Sequence, residues 1–328
     1  MNSLVFTMSC MLLCRTMITT FLAVVNTILP VFIMAGVGVL TARILLPKSA
    51  AGTADEVKKF LHTFTFSWAG PAYVLLALWT SSVTLADLGK PALVAVIMYA
   101  LMVIVAVVVG AIARWNSETS RGSILTLAST NCANYGLPII LFAFGGDGVV
   151  IAAIFMVTHV LVHFTLGLTI ASWDTERRFA SRAGAMLKFP YIYVIALALL
   201  LKGLSVPAPV VVERSLNLLG SMWIPLMLLL LGIELSQVKS GTVLKASVLL
   251  AAIKLVVPPL LAWGLTTLLG IEGIARAVLI IQSSMPTAVN GLLVARQCNT
   301  RPDLVASTLL LSTLGSILTI PLLLGLLS

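Results

Sequence analysis

Long apolar stretches separated by short polar gaps dominate the chain. They fall at about 20–44, 61–82, 91–113, 123–144, 149–172, 187–205, 215–235, 246–269, 275–294 and 304–327. None alternates with the two-residue period of a half-buried strand, so each reads as a helix. Each is near the length that a bilayer core demands, and a spanning segment must satisfy its own backbone hydrogen bonds. The pattern predicts an all-α polytopic membrane protein of ten transmembrane helices. Ahead of the second stretch, residues 47–59 carry Asp55, Glu56, Lys58 and Lys59 and read as a short amphipathic surface helix.

Composition agrees with this reading. Of 328 residues, 60% are hydrophobic and only 9% charged, with a mean hydropathy of +1.12. Soluble domains carry about 25% charged residues, so a large soluble core is excluded. The net charge of +9 does not mark a nucleic-acid binder, because the basic residues do not cluster on one face. They follow the loops. With the N-terminus outside, 14 of the 20 Lys and Arg residues fall in inside loops, and five fall outside (Arg15, Lys90, Lys202, Arg214 and Arg276); Lys254 lies within a span. This asymmetry supports ten spans with both termini outside a cell (inner) membrane. Residues 1–19 form an N-terminal extension, with Met17 an alternative start.

The two halves run in step. Pro71 and Pro225 are 154 residues apart, and so are Ser129 and Ser283, each of which opens a polar break in an apolar span. Residues 20–172 and 187–328 then form two five-helix repeats joined by a cytoplasmic linker, 173–186. An odd number of spans inverts the second repeat relative to the first, as in many secondary transporters.

The breaks carry the candidate chemistry. The fourth span reads Ser129-Thr130-Asn131-Cys132-Ala133-Asn134-Tyr135-Gly136-Leu137-Pro138, and the ninth Ser283-Ser284-Met285-Pro286-Thr287-Ala288-Val289-Asn290-Gly291. Proline removes a backbone donor and glycine admits unusual dihedrals, so unwound backbone is expected in both. At membrane depth such backbone must be buried in protein or line a cavity. Half-helix N-termini offer N–H groups and a positive dipole end to an anion. The candidate substrate-binding residues are Asn131, Asn134, Tyr135, Gly136 and Pro138 from one break, with Ser284, Pro286, Thr287 and Asn290 from the other. Lys254 joins them as an intramembrane charge that binds a carboxylate, changes protonation, or snorkels to the interface. His159 and His163, four apart on one helix face, are a candidate proton relay or an interhelical packing pair. Glu234 reads as interfacial. The four cysteines (Cys10, Cys14, Cys132 and Cys298) fit neither a disulfide framework nor a metal site, and no metal or cofactor is expected.

The run Asn131 to Pro138 resembles the fourth-helix pattern N-x-G-N-x-G-L-P of the auxin efflux carrier family. Pro286-Thr287-Ala288-Val289-Asn290 resembles its ninth-helix P-x-A-x-N pattern, and Leu29-Pro30-Val31-Phe32 with Gly36 and Gly38 its first helix. The resemblance implies inverted five-helix repeats, helices 4 and 9 crossing at their breaks, and an elevator-like motion. It also implies a small organic acid such as malate or malonate as substrate, with sodium or proton coupling open. Ala133 departs from the family's glycine, and the plant N-P-N motif is absent, so auxin itself is a poor candidate. The expected partners are a small organic anion, the lipid bilayer and a second copy of the chain in a homodimer. The alternatives are a ligand sensor without translocation and an intramembrane enzyme using His159, His163 and Cys132.

Overall fold

The computed structural model describes residues 29–44, 51–81, 89–171, 190–237, 244–298 and 300–327. The N-terminal extension and the linker 173–186 lie outside the described residues. Within them, the regular structure is helical, and helix stands on every apolar stretch. Helix α1 is Leu29–Ile44. The second stretch is α2 (Ala51–Phe64), a wide π-turn at Thr65–Ala69, and α3 (Gly70–Thr80). The predicted surface helix is therefore the first part of α2, continuous with the span. Then come α4 (Gly89–Ile112), α5 (Ser117–Ala128), a π-turn at Cys132–Gly136, α6 (Leu137–Val162), a π-turn at His163–Gly167 and α7 (Leu168–Ala171). The remainder is α8 (Pro190–Gly203), α9 (Val210–Gly220), α10 (Trp223–Gln237), α11 (Leu244–Leu268), α12 (Gly273–Ser283), α13 (Val289–Gln297) and α14 (Pro302–Leu327).

Five stretches among the described residues are long and apolar enough to cross a membrane alone: Gly89–Ile112, Cys132–Gly167, Val210–Ser236, Lys245–Leu268 and Pro302–Leu327. The other apolar helices are shorter. Gly273–Ser283, for one, ends at a break.

Local chemistry explains where helices start and stop. Asn116 caps α5, its Oδ1 accepting the Thr119 N–H at 2.9 Å. Pro71 and Pro138 sit in the first turn of α3 and α6, where a missing N–H costs nothing. Each follows a π-turn, the local widening that accommodates the lost i→i−4 bond. Gly145 interrupts α6 with φ of 66°, a left-handed conformation suited to glycine, and divides the predicted fourth and fifth spans.

Helix α11 packs along α14, α3 along α8, α4 along α5 and α6, and α6 along α12. Where α1 meets α10, Gly38 and Gly232 let the backbones touch: a Cβ on Gly38 would run into the Leu229 carbonyl. Outward faces are apolar. On α14, Leu314, Leu318, Leu322 and Leu326 recur every fourth residue and are all exposed, which is a lipid-facing stripe.

Candidate functional site

The two breaks meet inside the protein. Thr130 and Thr287 form a short antiparallel bridge. The Asn131 N–H donates to the Pro286 carbonyl at 2.9 Å, and the Ala288 N–H to the Ser129 carbonyl at 3.4 Å. Each unwound strand thus supplies backbone partners to the other, which satisfies groups that lipid would leave unpaired.

The surroundings are reciprocal too. The Thr130 N–H donates to His159 Nε2 at 3.1 Å, and the Thr287 N–H to Ser312 Oγ at 3.2 Å. In both cases the acceptor belongs to the span that follows the break. Glycine serves each break by leaving room for the other. A Cβ on Gly136 would strike the Gln282 side chain of α12, and one on Gly291 would strike Ser129. Gly136 has an ordinary helical φ of −69°. The expectation that it supplies unusual dihedrals is corrected: its task is close approach.

The C-terminal end of α5 is closed off. Thr287 Oγ1 donates to the Thr126 carbonyl at 3.1 Å. Lys254 Nζ donates to the Leu127 carbonyl at 2.9 Å and to Thr130 Oγ1 at 2.8 Å. Lys254 is fully buried, so it does not snorkel. Its ammonium sits at the negative end of the α5 dipole and fixes the break from behind.

The N-terminal ends at Cys132 and Val289 face an open cavity of about 350 Å³. Asn131, Asn134 and Asn290 line it, together with Thr130, Ser67, His62 and Glu234. The first N–H groups of a helix have no intrahelical partner, so both ends aim donors towards this space. The volume lies in the range of small-molecule sites.

The remaining predicted residues stand behind the cavity wall. Tyr135 is buried, bonds Ser316 Oγ at 2.9 Å and meets Phe32 of α1 edge-on at 5.9 Å. Gly136, Pro138, Ser284, Pro286 and Thr287 shape the breaks without lining the cavity. The two histidines pack about Tyr99, whose hydroxyl lies 3.3 Å from His163 Nδ1. Because His159 Nε2 accepts a backbone N–H, that ring is neutral with its proton on Nδ1. Glu234 is a correction to the sequence reading. It is buried, not interfacial, and faces the cavity, accepting from Asn134 Nδ2 at 3.4 Å. Its neighbours in sequence, Leu235 and Ser236 ahead of the basic Lys239, suggested a span end; the packing of α10 on the π-turn at Cys132–Gly136 and on α2 instead encloses this face. His62 and Ser67 carried no sequence signal, since nothing local tied them to the breaks. Among the described residues, no group of His, Cys, Asp or Glu is placed to hold a metal ion.

A family model described as "Membrane transport protein" matches residues 183–324. Over that second half the chain is similar to the membrane transport proteins that this model describes. The chain is 28% identical over 208 residues to an uncharacterized transporter of Methanocaldococcus jannaschii, covering 62% of this chain and 68% of the relative. It is 25% identical over 209 residues to an uncharacterized transporter of Methanothermobacter thermautotrophicus, covering 63% and 68%. The long apolar helices and these similarities are those of a multi-pass membrane protein, and the relatives are transporters, not enzymes.

Proposed function

We propose that this protein is a membrane transporter, a secondary carrier of small organic anions, mono- or dicarboxylates such as malate or malonate, working by alternating access. The observation that carries the reading is the cavity where two half-helix N-termini converge with Asn131, Asn134 and Asn290. N–H donors and dipole ends favour a carboxylate, and the asparagines bind it without adding charge. In this reading the ten helical stretches form two inverted repeats, with the fourth and ninth spans crossing at the Thr130–Thr287 bridge. The 154-residue offset and the reciprocal contacts of the breaks support it. The cavity rim, with His62, Thr63, Phe164 and Pro190, then faces the cytoplasm, the side of Lys58 and Lys59, in a cell membrane with both termini outside.

Uptake by proteoliposomes tests this. Wild-type protein takes up radiolabelled malonate or malate, and Asn134→Ala or Asn290→Ala abolishes uptake while thermal unfolding stays near that of wild type. Saturable binding without flux indicates a sensor, and wild-type rates in both variants exclude the crossover site.

A further inference from the structure

The cavity proposed to hold an anion contains a carboxylate of its own. Glu234 is 7% exposed and lies on the wall beside Asn134, whose Nδ2 approaches its Oε2 at 3.4 Å. An ionised Glu234 repels an incoming carboxylate, and it also occupies the amide of Asn134 as an acceptor. A proton on Glu234 reverses both effects. The repulsion vanishes, the carboxyl becomes a donor to the substrate, and the Asn134 amide is released for the same task.

The elements packed around α10 bring other titratable groups close to it. Helix α2 brings Lys58 and His62, and the π-turn at Cys132–Gly136 brings the Cys132 thiol and Tyr135. The thiol has no second acidic oxygen to offer, and Tyr135 is bonded to Ser316. Helix α6 brings His159, whose Nε2 is held by the Thr130 N–H. The π-turn at Thr65–Ala69 brings no titratable side chain. Lys58 carries its positive charge throughout, whereas His62 gains one only with a proton; but its neutral ring does not repel an anion, so protonation there adds attraction without lifting a block. Among the described residues lining the cavity, Glu234 is the one carboxylate, and it turns from opposing the substrate to binding it.

We propose that Glu234 is the coupling site of this transporter: it takes up one proton as the organic anion binds and gives it up as the anion leaves. The inference rests on the anion-carrier reading above. Binding of each ligand favours the other, and this reciprocity is what makes symport out of two binding events. The proton adds to a carboxylate oxygen and departs from it; no bond of the substrate changes.

The test uses full-length protein in liposomes with a trapped pH dye and radiolabelled malonate, malate and succinate as probes. In the wild type, an inward acid gradient drives uptake, with up to about tenfold accumulation per pH unit for one proton, and the dye reports acidification with entry. A sodium gradient has no effect. Glu234→Gln loses the response to the pH gradient but retains measurable malonate exchange, and Glu234→Asp regains part of the response. An unchanged gradient response in Glu234→Gln overturns the proposal, and so does uptake driven by sodium in place of protons. Infrared difference spectra between acidic and alkaline buffer give a reading that needs no substrate. A buried carboxyl band present in the wild type and lost in Glu234→Gln supports the proton site; its absence in the wild type overturns it. Should the band be present while no probe moves, the proton site stands and the choice of organic acids falls.

Discussion

At the scale of single residues, the buried polar groups divide into those that face the cavity and those that hold its walls. Asn131, Asn134 and Asn290 face it; Lys254, Thr287 and His159 hold the backbone that presents them. The role of His159 is open to a sharp test. As a hydrogen-bond acceptor for Thr130 it is replaceable by another acceptor, and as a proton relay it is not. His159→Gln therefore retains transport when its Oε1 takes over the Thr130 N–H. His159→Leu leaves that N–H unpaired at a cost of about 1–3 kcal/mol, and lowers both thermal stability and uptake. Equal loss of uptake in the two variants, with stability intact, would instead point to proton transfer through this ring. The three asparagines were legible in the sequence because an amide in an apolar span is expensive. Glu234 was visible but misplaced, since its depth depends on how α10 packs on the distant π-turn at Cys132–Gly136, and no local pattern encodes that contact.

At the scale of elements, the breaks are one unit built from two distant pieces of chain. Each provides what the other lacks: a carbonyl for an N–H, a glycine for a bulky neighbour. The packing of Gly136 against Gln282 predicts a measurable coupling. Gly136→Ala forces its new methyl group into the Gln282 side chain and lowers the unfolding temperature. Gln282→Ala alone removes the Nε2 bond to the Ala152 carbonyl and also destabilises. The double variant recovers part of the sum, by an interaction energy of about 1 kcal/mol, read as a double-mutant cycle in detergent-solubilised protein. Strict additivity would show that the two breaks do not press on each other here. From the sequence alone, prolines and glycines gave the positions of both breaks to within a few residues. Ser129, read as the start of the first break, is where α5 ends; the π-turn between it and Pro138 carried no signal of its own.

At the scale of the whole molecule, apolar stretches and short basic loops suffice to establish a multi-pass membrane protein. Helix on all ten stretches follows from length and hydropathy. Contacts between helices do not, because apolar side chains on neighbouring faces are nearly interchangeable in a membrane and pairing depends on small residues such as Gly38 and Gly232. The proposed orientation has its own check. In a cysteine-free background, a cysteine placed at Ser67 on the cavity wall is labelled by a membrane-impermeant maleimide added from the side of Lys58 and Lys59, and excess malonate slows the labelling. Labelling from the opposite side alone would reverse the orientation assigned to this conformation.

The Thr130–Thr287 bridge has a last consequence. Sliding the two strands apart would break two amide–carbonyl pairs among largely buried groups. Under the proposed carrier function, the joint would then stay shut while the rest of the protein rearranged around it. Cargo held there would meet the same asparagines and the same helix ends from either face of the bilayer. Selectivity would be decided once, at a single filter that changes its address, and not separately at an entrance and an exit.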